Sequence, residues 1–279
     1  MRRLLVVDSM VAPGSPAMRG WLRAAPEVLP PRFDEVEVWS FRCELDASWI
    51  KFRHIRPLTS RWAIQWIFYE RAVRKMAAAL PASYWDETLV QCTGNHLDRT
   101  DIRYIHFWHK AYTEAAAARP GFLKLPLKDR LLTPWISRRE EVALKSGNTA
   151  RWWCVSRGIA APNIRDSKQP PAIRYLPNSF DPAKFNHSAK LTYRAPMRTH
   201  YGFDENEIVL AFSAFGHFER KGLRQAAQSV AMLRGQGHPV RLLILGGNEG
   251  TIGNFRKAMA AAGISLDGCV FPGLVDQME

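Results

Sequence analysis

Two adjacent cations and a glycine, Arg220-Lys221-Gly222, follow the apolar run Ile208 to Phe212 after a short loop. The run reads as a buried strand, and the triplet as the step from its loop into a helix. A helix start offers unpaired N–H groups and the positive end of the helix dipole, so it favours an anion. Two cations there, with a glycine that lets a ligand approach the backbone, suit a diphosphate. The alternative is a solvated Arg–Lys pair at an ordinary strand–helix junction.

The elements that must position this triplet alternate along the chain. Leu4 to Val7 is a first strand closed by Asp8, and a loop with Pro13, Gly14, Ser15 and Pro16 follows. Val36 to Trp39, Leu89 to Gly94, Ile102 to Trp108 and Arg151 to Ser156 read as further strands. Thr59 to Leu80 has the period of a long amphipathic helix, with Ser60 as a candidate cap. Ser137 to Lys145 reads as helical. Pro170-Pro171 and Leu176-Pro-Asn-Ser-Phe-Asp-Pro182 break the pattern, which marks a linker. The alternation then restarts: a helix face at Leu223, Ala226, Ala227, Val230 and Leu233, a strand at Val240 to Leu245 ending in Gly246-Gly247, a helix around Ile252 to Ala262, and a short strand at Cys269 to Phe271. Strands alternating with helices predict parallel sheets covered on both faces. The boundary is expected at 188/189, giving domains 1–188 and 189–279.

The chain has 279 residues, 47% of them hydrophobic, enough for two cores. No run reaches the apolar length of a membrane span. A net charge of +13 favours polyanionic partners. The cations are dispersed, among them Arg53, Arg56, Arg71, Arg74, Lys75, Arg130, Arg138 and Arg139, so no nucleic-acid partner is expected. The four cysteines (Cys43, Cys92, Cys154, Cys269) lie far apart and read as buried thiols of a reducing compartment.

In this order the features resemble glycosyltransferase family 4, which has the two-domain GT-B architecture. Ile105-His106-Phe107-Trp108 is similar to that family's strand-end His segment, and Arg151 to Gly158 to its last strand before the domain crossing. Leu176-Pro-Asn-Ser-Phe-Asp-Pro-Ala-Lys-Phe185 resembles its linker, Arg220-Lys221-Gly222 its phosphate step, and Leu243 to Gly246 and Val270 to Gly273 its next strands. The resemblance implies two Rossmann-like domains facing a cleft, and transfer of a sugar from a nucleotide-diphosphate sugar to a glycan or lipid-linked envelope acceptor. It implies that Lys221, with Arg220, neutralises the leaving diphosphate where negative charge develops. It implies that Gly273 and Leu274 meet the nucleobase, that Gly14 and Ser15 line the acceptor side, and that His106 is catalytic at the cleft. The plain alternatives are a turn at Gly273, a turn at Gly14–Ser15, and a half-buried, satisfied imidazole at His106. No cofactor or metal is called for, and the sequence has no acidic metal-binding cluster.

Four departures stand out. An Arg that the family often carries shortly before the Lys is replaced by Gly216. The linker has Ser179 where Gly is usual, and the acceptor loop lacks paired glycines. The family's Glu, seven residues, Glu motif does not follow Gly273. The expectation is therefore a truncated transferase with an incomplete second domain, weakly active or inactive. A non-catalytic protein that binds a nucleotide or another anion is the competing expectation. A dinucleotide oxidoreductase is disfavoured, because neither Pro13-Gly14 nor Gly246-Gly247 supplies Gly-x-Gly-x-x-Gly. The expected location is the cytoplasm, with peripheral contact of the basic first domain with an anionic inner membrane face.

Overall fold

The computed structural model describes residues 2–15, 17–57, 59, 62–117, 127–159, 172–214 and 218–275. The chain divides into two compact units, Met1–Phe180 and Asp181–Glu279. Ser60, the candidate helix cap, and Pro170-Pro171 lie outside the described residues.

The first unit runs β1 (Arg3–Val7), β2 (Met10–Val11), α1 (Arg19–Val28), β3 (Glu35–Ser40), β4 (Arg42–Cys43), β5 (Ile50–His54), α2 (Trp62–Ala78), α3 (Ala82–Asp86), β6 (Thr88–Thr93), β7 (Thr100–Ile105), α4 (His109–Ala117), α5 (Leu127–Lys145), β8 (Thr149–Cys154) and β9 (Ala172–Tyr175). Seven strands form one parallel sheet in the order β5-β3-β1-β6-β7-β8-β9, and β2 and β4 pair separately. The chain thus walks outward from β1 in one direction, then returns to β6 and walks the other way. A doubly wound sheet of this order forms its crevice outside the carboxyl ends of the strands at the reversal. Here that point lies between β1 and β6.

Period 2 assigns each strand's side chains to opposite faces. Leu5, Val7, Trp39, Val90 and Cys92 pack with Tyr69 and Val73 of α2. Leu4, Val6, Val36 and Val38 pack on the other face with Met18, Ala25 and Leu29. Both faces of β1 are buried, which is why its sequence is continuously apolar. Each such side chain contributes about 1.5–3 kcal/mol.

The second unit runs α6 (His187–His200), β10 (Ile208–Ser213), α7 (Phe218–Lys221), α8 (Leu223–Gly235), β11 (Val240–Leu245), α9 (Glu249–Ala261) and β12 (Cys269–Gly273). Its strands form a parallel sheet in the order β10-β11-β12. Val240, Leu242 and Ile244 of β11 pack under Leu223, Ala227 and Val230 of α8 and Phe255 and Met259 of α9. β10 is an edge strand in this sheet, and its Ile208 and Leu210 are exposed. The sequence boundary at 188/189 falls within the first turn of α6, whereas the compact units divide inside the Leu176–Pro182 segment.

Many of the dispersed cations are paired. Arg53 meets Glu37, Arg74 meets Glu70 and Asp98, and Arg139 meets the same two carboxylates. The segment after β9 is tied to the first unit: Leu176 N–H donates to Cys154, and Arg23 donates to the Phe180 carbonyl at 2.7 Å. Gly20 of α1 leaves the room that Ser179 fills, since a β-carbon on Gly20 would overlap the Ser179 side chain. Ser179 therefore has a packing partner of its own.

Candidate functional site

The second unit gathers its site residues at the carboxyl ends of its three strands. β10 leads to Ala214, whose N–H donates to the Leu245 carbonyl at 3.0 Å. α7 is a single turn carrying Phe218, Arg220 and Lys221; Gly222 follows with φ +85° and stands at the N-terminus of α8. The cations thus close the short turn, and Gly222 alone opens the long helix, where the sequence suggests one continuous step. Both cations are exposed. A residue with a β-carbon would be strained at Gly222.

Phe218 positions this turn. Its ring is buried and packs edge-on to Phe255 with centroids 5.6 Å apart. A β-carbon on Gly247, which has φ +85°, would stand 2.6 Å from the Phe218 ring. Only glycine admits the contact, so Gly247 is what lets α7 lie across the end of β11. Gly246 donates its N–H to the Gly273 carbonyl at 2.6 Å, drawing the ends of β11 and β12 together. Gly273 has φ +84°, and Leu274 beyond it is exposed. Asn248 caps α9, accepting from Thr251 N–H at 2.9 Å. The result is a glycine-lined shelf with Arg220 and Lys221 beside it, open to a flat ligand and a charged one. Gly216 lies outside the described residues. Phe218 and Gly247 are the positioning residues that spacing alone does not reveal; the doubled Gly246-Gly247 after a strand is their signal.

The first unit places its residues at the carboxyl end of its own sheet. His106 directly follows β7, which ends three residues before the predicted run does. It is half-buried, its ring edge-on to Tyr104 at 4.2 Å, and its Nε2 is buried without a hydrogen-bond partner. Burial pushes its pKa down to about 4. It is therefore a neutral imidazole at pH 7, able to exchange a hydrogen bond but not to supply a positive charge. Gly14 and Ser15 form a turn into α1: Ser15 donates its N–H to Ala12, and its carbonyl accepts from Met18 and Arg19.

Asp8 sits at the reversal between β1 and β6, and sequence reasoning passed over it as a strand stop. It is 4% exposed, and its Oδ1 accepts the Met10 N–H at 2.8 Å. Its Oδ2 is buried without a partner. Burial pushes its pKa up to about 6. Since the folded value lies above the ordinary 3.8, the folded state holds the proton longer than the unfolded state. Stability contributed by this group is therefore full below about pH 4 and lost as pH rises through 6. At about 1.4 kcal/mol per pH unit, that slope is on the order of 3 kcal/mol. Asp8→Asn should remove it and stabilise the chain above pH 6, as read by urea unfolding at pH 4 and pH 7.

Among the described residues, no group of three or more His, Cys, Asp or Glu side chains could hold a metal ion, and no helix is long and apolar enough to cross a membrane.

No protein-family model and no curated protein matches this sequence. Solved structures do. The chain is similar to WaaG, a glycosyltransferase involved in lipopolysaccharide biosynthesis, at 17% identity and a TM-score of 0.65, over 98% of this chain and 70% of that one. It is similar to HepE from Anabaena in complex with UDP, at 12% identity and a TM-score of 0.52, over 100% and 70% of the two chains. The trehalose-6-phosphate synthase of Burkholderia multivorans aligns at 13% identity and a TM-score of 0.54, over 98% and 73%. The likeness is one of fold: an α/β chain with parallel sheets, of the GT-B-like kind.

Proposed function

We propose that this chain is a glycosyltransferase of family 4 that takes a nucleotide-diphosphate sugar on its second unit. The observation that carries this reading is the glycine shelf at the ends of β10, β11 and β12, with the Arg220–Lys221 turn locked beside it by Phe218 against Gly247. In this reading Lys221, with Arg220, receives the diphosphate, and the positive end of the α8 dipole adds to the field. The nucleobase lies against Gly273 and Leu274. As the glycosidic bond to the diphosphate breaks, charge grows on the phosphate oxygens, and a fixed cation lowers the energy of that state most. The solved complex of the similar HepE with UDP supports a nucleotide ligand.

The acceptor is a glycan or lipid-linked envelope precursor on the first unit, near Gly14, Ser15 and His106. The neutral imidazole of His106 orients or accepts a hydroxyl proton. The +13 charge suits work in the cytoplasm against an anionic inner membrane face.

The test is a calorimetric titration with UDP and UDP-sugars alongside an assay for nucleotide release. Saturable binding that favours diphosphate over monophosphate, with nucleotide release in the presence of an acceptor glycan, supports the proposal. Binding without any release supports a non-catalytic nucleotide binder. No binding at millimolar nucleotide overturns the donor site.

A further inference from the structure

A second cationic seat lies at the far end of the first unit's sheet. Trp153 of β8 registers with Arg174 of β9, and Arg151 with Ala172. Arg151, Trp153 and Arg174 therefore stand on one face. Strand spacing and rise put the Arg151 and Arg174 backbones roughly 8 Å apart, within reach of one small ligand. With Tyr175 and Leu176 these three line a hollow of about 440 Å³. The alternate residues of the same strands, Trp152, Cys154 and Ile173, turn to the opposite face and pack with Trp108, Ala143 and Leu144. A strand pair that buries one face as thoroughly as this carries two arginines on the other.

Those arginines are unlike most others of this sheet. Arg3 and Arg53 meet Glu35 and Glu37, and Arg103 is surrounded by carbonyl and hydroxyl oxygens. Arg151 and Arg174 have no hydrogen-bond or ion-pair partner among the described residues. Two guanidinium forks without a carboxylate match the oxygens of a phosphate, which they bind in bidentate fashion. The half-buried Trp153 supplies flat apolar surface beside them, suited to the face of a sugar ring.

We infer that this hollow seats a phosphate monoester carried on a sugar, and that the acceptor used by the first unit is a phosphorylated glycan. The word acceptor rests on the function proposed above; the phosphate seat does not.

Binding is measured on the full chain at low salt with glucose 6-phosphate, glucose, and vesicles containing an anionic phospholipid. Glucose 6-phosphate should bind at least tenfold more tightly than glucose. The Arg151→Ala, Arg174→Ala double variant should lose tenfold or more of that affinity, and the double Lys variant should keep part of it. Both side chains are exposed, so the melting temperature should hold. Lys221→Ala should leave sugar-phosphate binding unchanged, and the double Ala variant should leave UDP binding unchanged. Loss of UDP binding with sugar-phosphate binding intact would sink the transferase reading and leave this seat standing. Equal binding of glucose and glucose 6-phosphate overturns the seat, as does equal binding by the double Ala variant. So does capture of vesicles without capture of the sugar phosphate, which would make the face a membrane contact.

Discussion

Lys221→Ala is expected to weaken binding of a nucleoside diphosphate by roughly 10- to 100-fold. A hydrogen bond between an ammonium and a phosphate oxygen is worth about 1.5–3 kcal/mol, and 1.4 kcal/mol is a factor of ten. Lys221 is suited to that contact because it ends the α7 turn in an exposed position next to Gly222, which carries no side chain of its own. The turn itself is fixed by the buried Phe218, so the loss should be one of charge and not of fold. Turnover should fall further than affinity, by roughly 10²- to 10³-fold, since the leaving diphosphate is more negative than the bound one. Affinity for UMP should fall less than affinity for UDP. Titration of the variant with both nucleotides reads the first effect, and single-turnover release of UDP from a UDP-sugar reads the second. Unchanged affinity for UDP would remove Lys221 from the donor site. Arg220 is a less clean probe because it already has an interaction of its own.

What could be read in the sequence was set by burial. Leu4 to Val7 is legible as a strand because a central parallel strand is apolar along its whole length, and Val240 to Leu245 is apolar apart from Arg241. Ile50–His54, with Lys51, Arg53 and His54 in five residues, is an edge strand paired to β3 alone, and its sequence carries no comparable signal. Ala172–Tyr175 is the other edge and is equally silent. Two helices were shortened or missed for one reason: proline inside them reads as a breaker. α5 runs through Pro134 with Thr133, Ile136 and Glu140 buried around it, and α6, capped by Asn186 at Ala189 N–H, runs through Pro196 with no residue buried. Arg220, Lys221, Gly222 and Gly273, singled out by type and spacing, stand near strand ends of one unit. What positions them was not legible. Phe218 and Gly247 meet through a contact that depends on a missing β-carbon 29 residues away in sequence, which no local pattern encodes. Asp8 looked like a strand terminator because burial is a property of the fold and not of the residue.

Arg103 is the other residue whose weight is invisible in sequence, and its replacement should have the largest effect on stability. It lies within β7 with no exposed surface. Its Nε donates to Thr149 Oγ1 at 3.1 Å. Nη1 donates to the Gly94 carbonyl at 2.6 Å and to Asn95 Oδ1 at 3.0 Å, and Nη2 donates to the Leu97 carbonyl at 2.9 Å. The guanidinium carbon lies 5.5 Å from the centre of the Trp152 ring. The loop after β6 therefore folds around this one cation, with its oxygens turned inward. Arg103→Met keeps the length and the apolar stem but removes every donor. The Leu97 carbonyl and the Asn95 amide oxygen then lose this donor, at about 1–3 kcal/mol each before the loop relaxes, and the Gly94 carbonyl keeps the Cys92 thiol at 3.8 Å. A net loss of about 3–5 kcal/mol in urea unfolding is expected, comparable to breaking a buried ion pair. Hydrogen exchange in residues 94–98 should rise with it. A second readout separates the cation from the packing. His96 is buried with its Nδ1 unpartnered and its ring edge-on to Tyr69 at 4.6 Å. Burial first, and then the positive charges of Arg103 and Arg74, hold its pKa down to about 3. Removing Arg103 should lift that value, so His96 should titrate at higher pH in the Met variant and stay put in Arg103→Lys. A variant that unfolds within 1 kcal/mol of the parent, with the loop still protected, would show that the oxygens of residues 94–97 find other partners and that the loop does not depend on the buried cation.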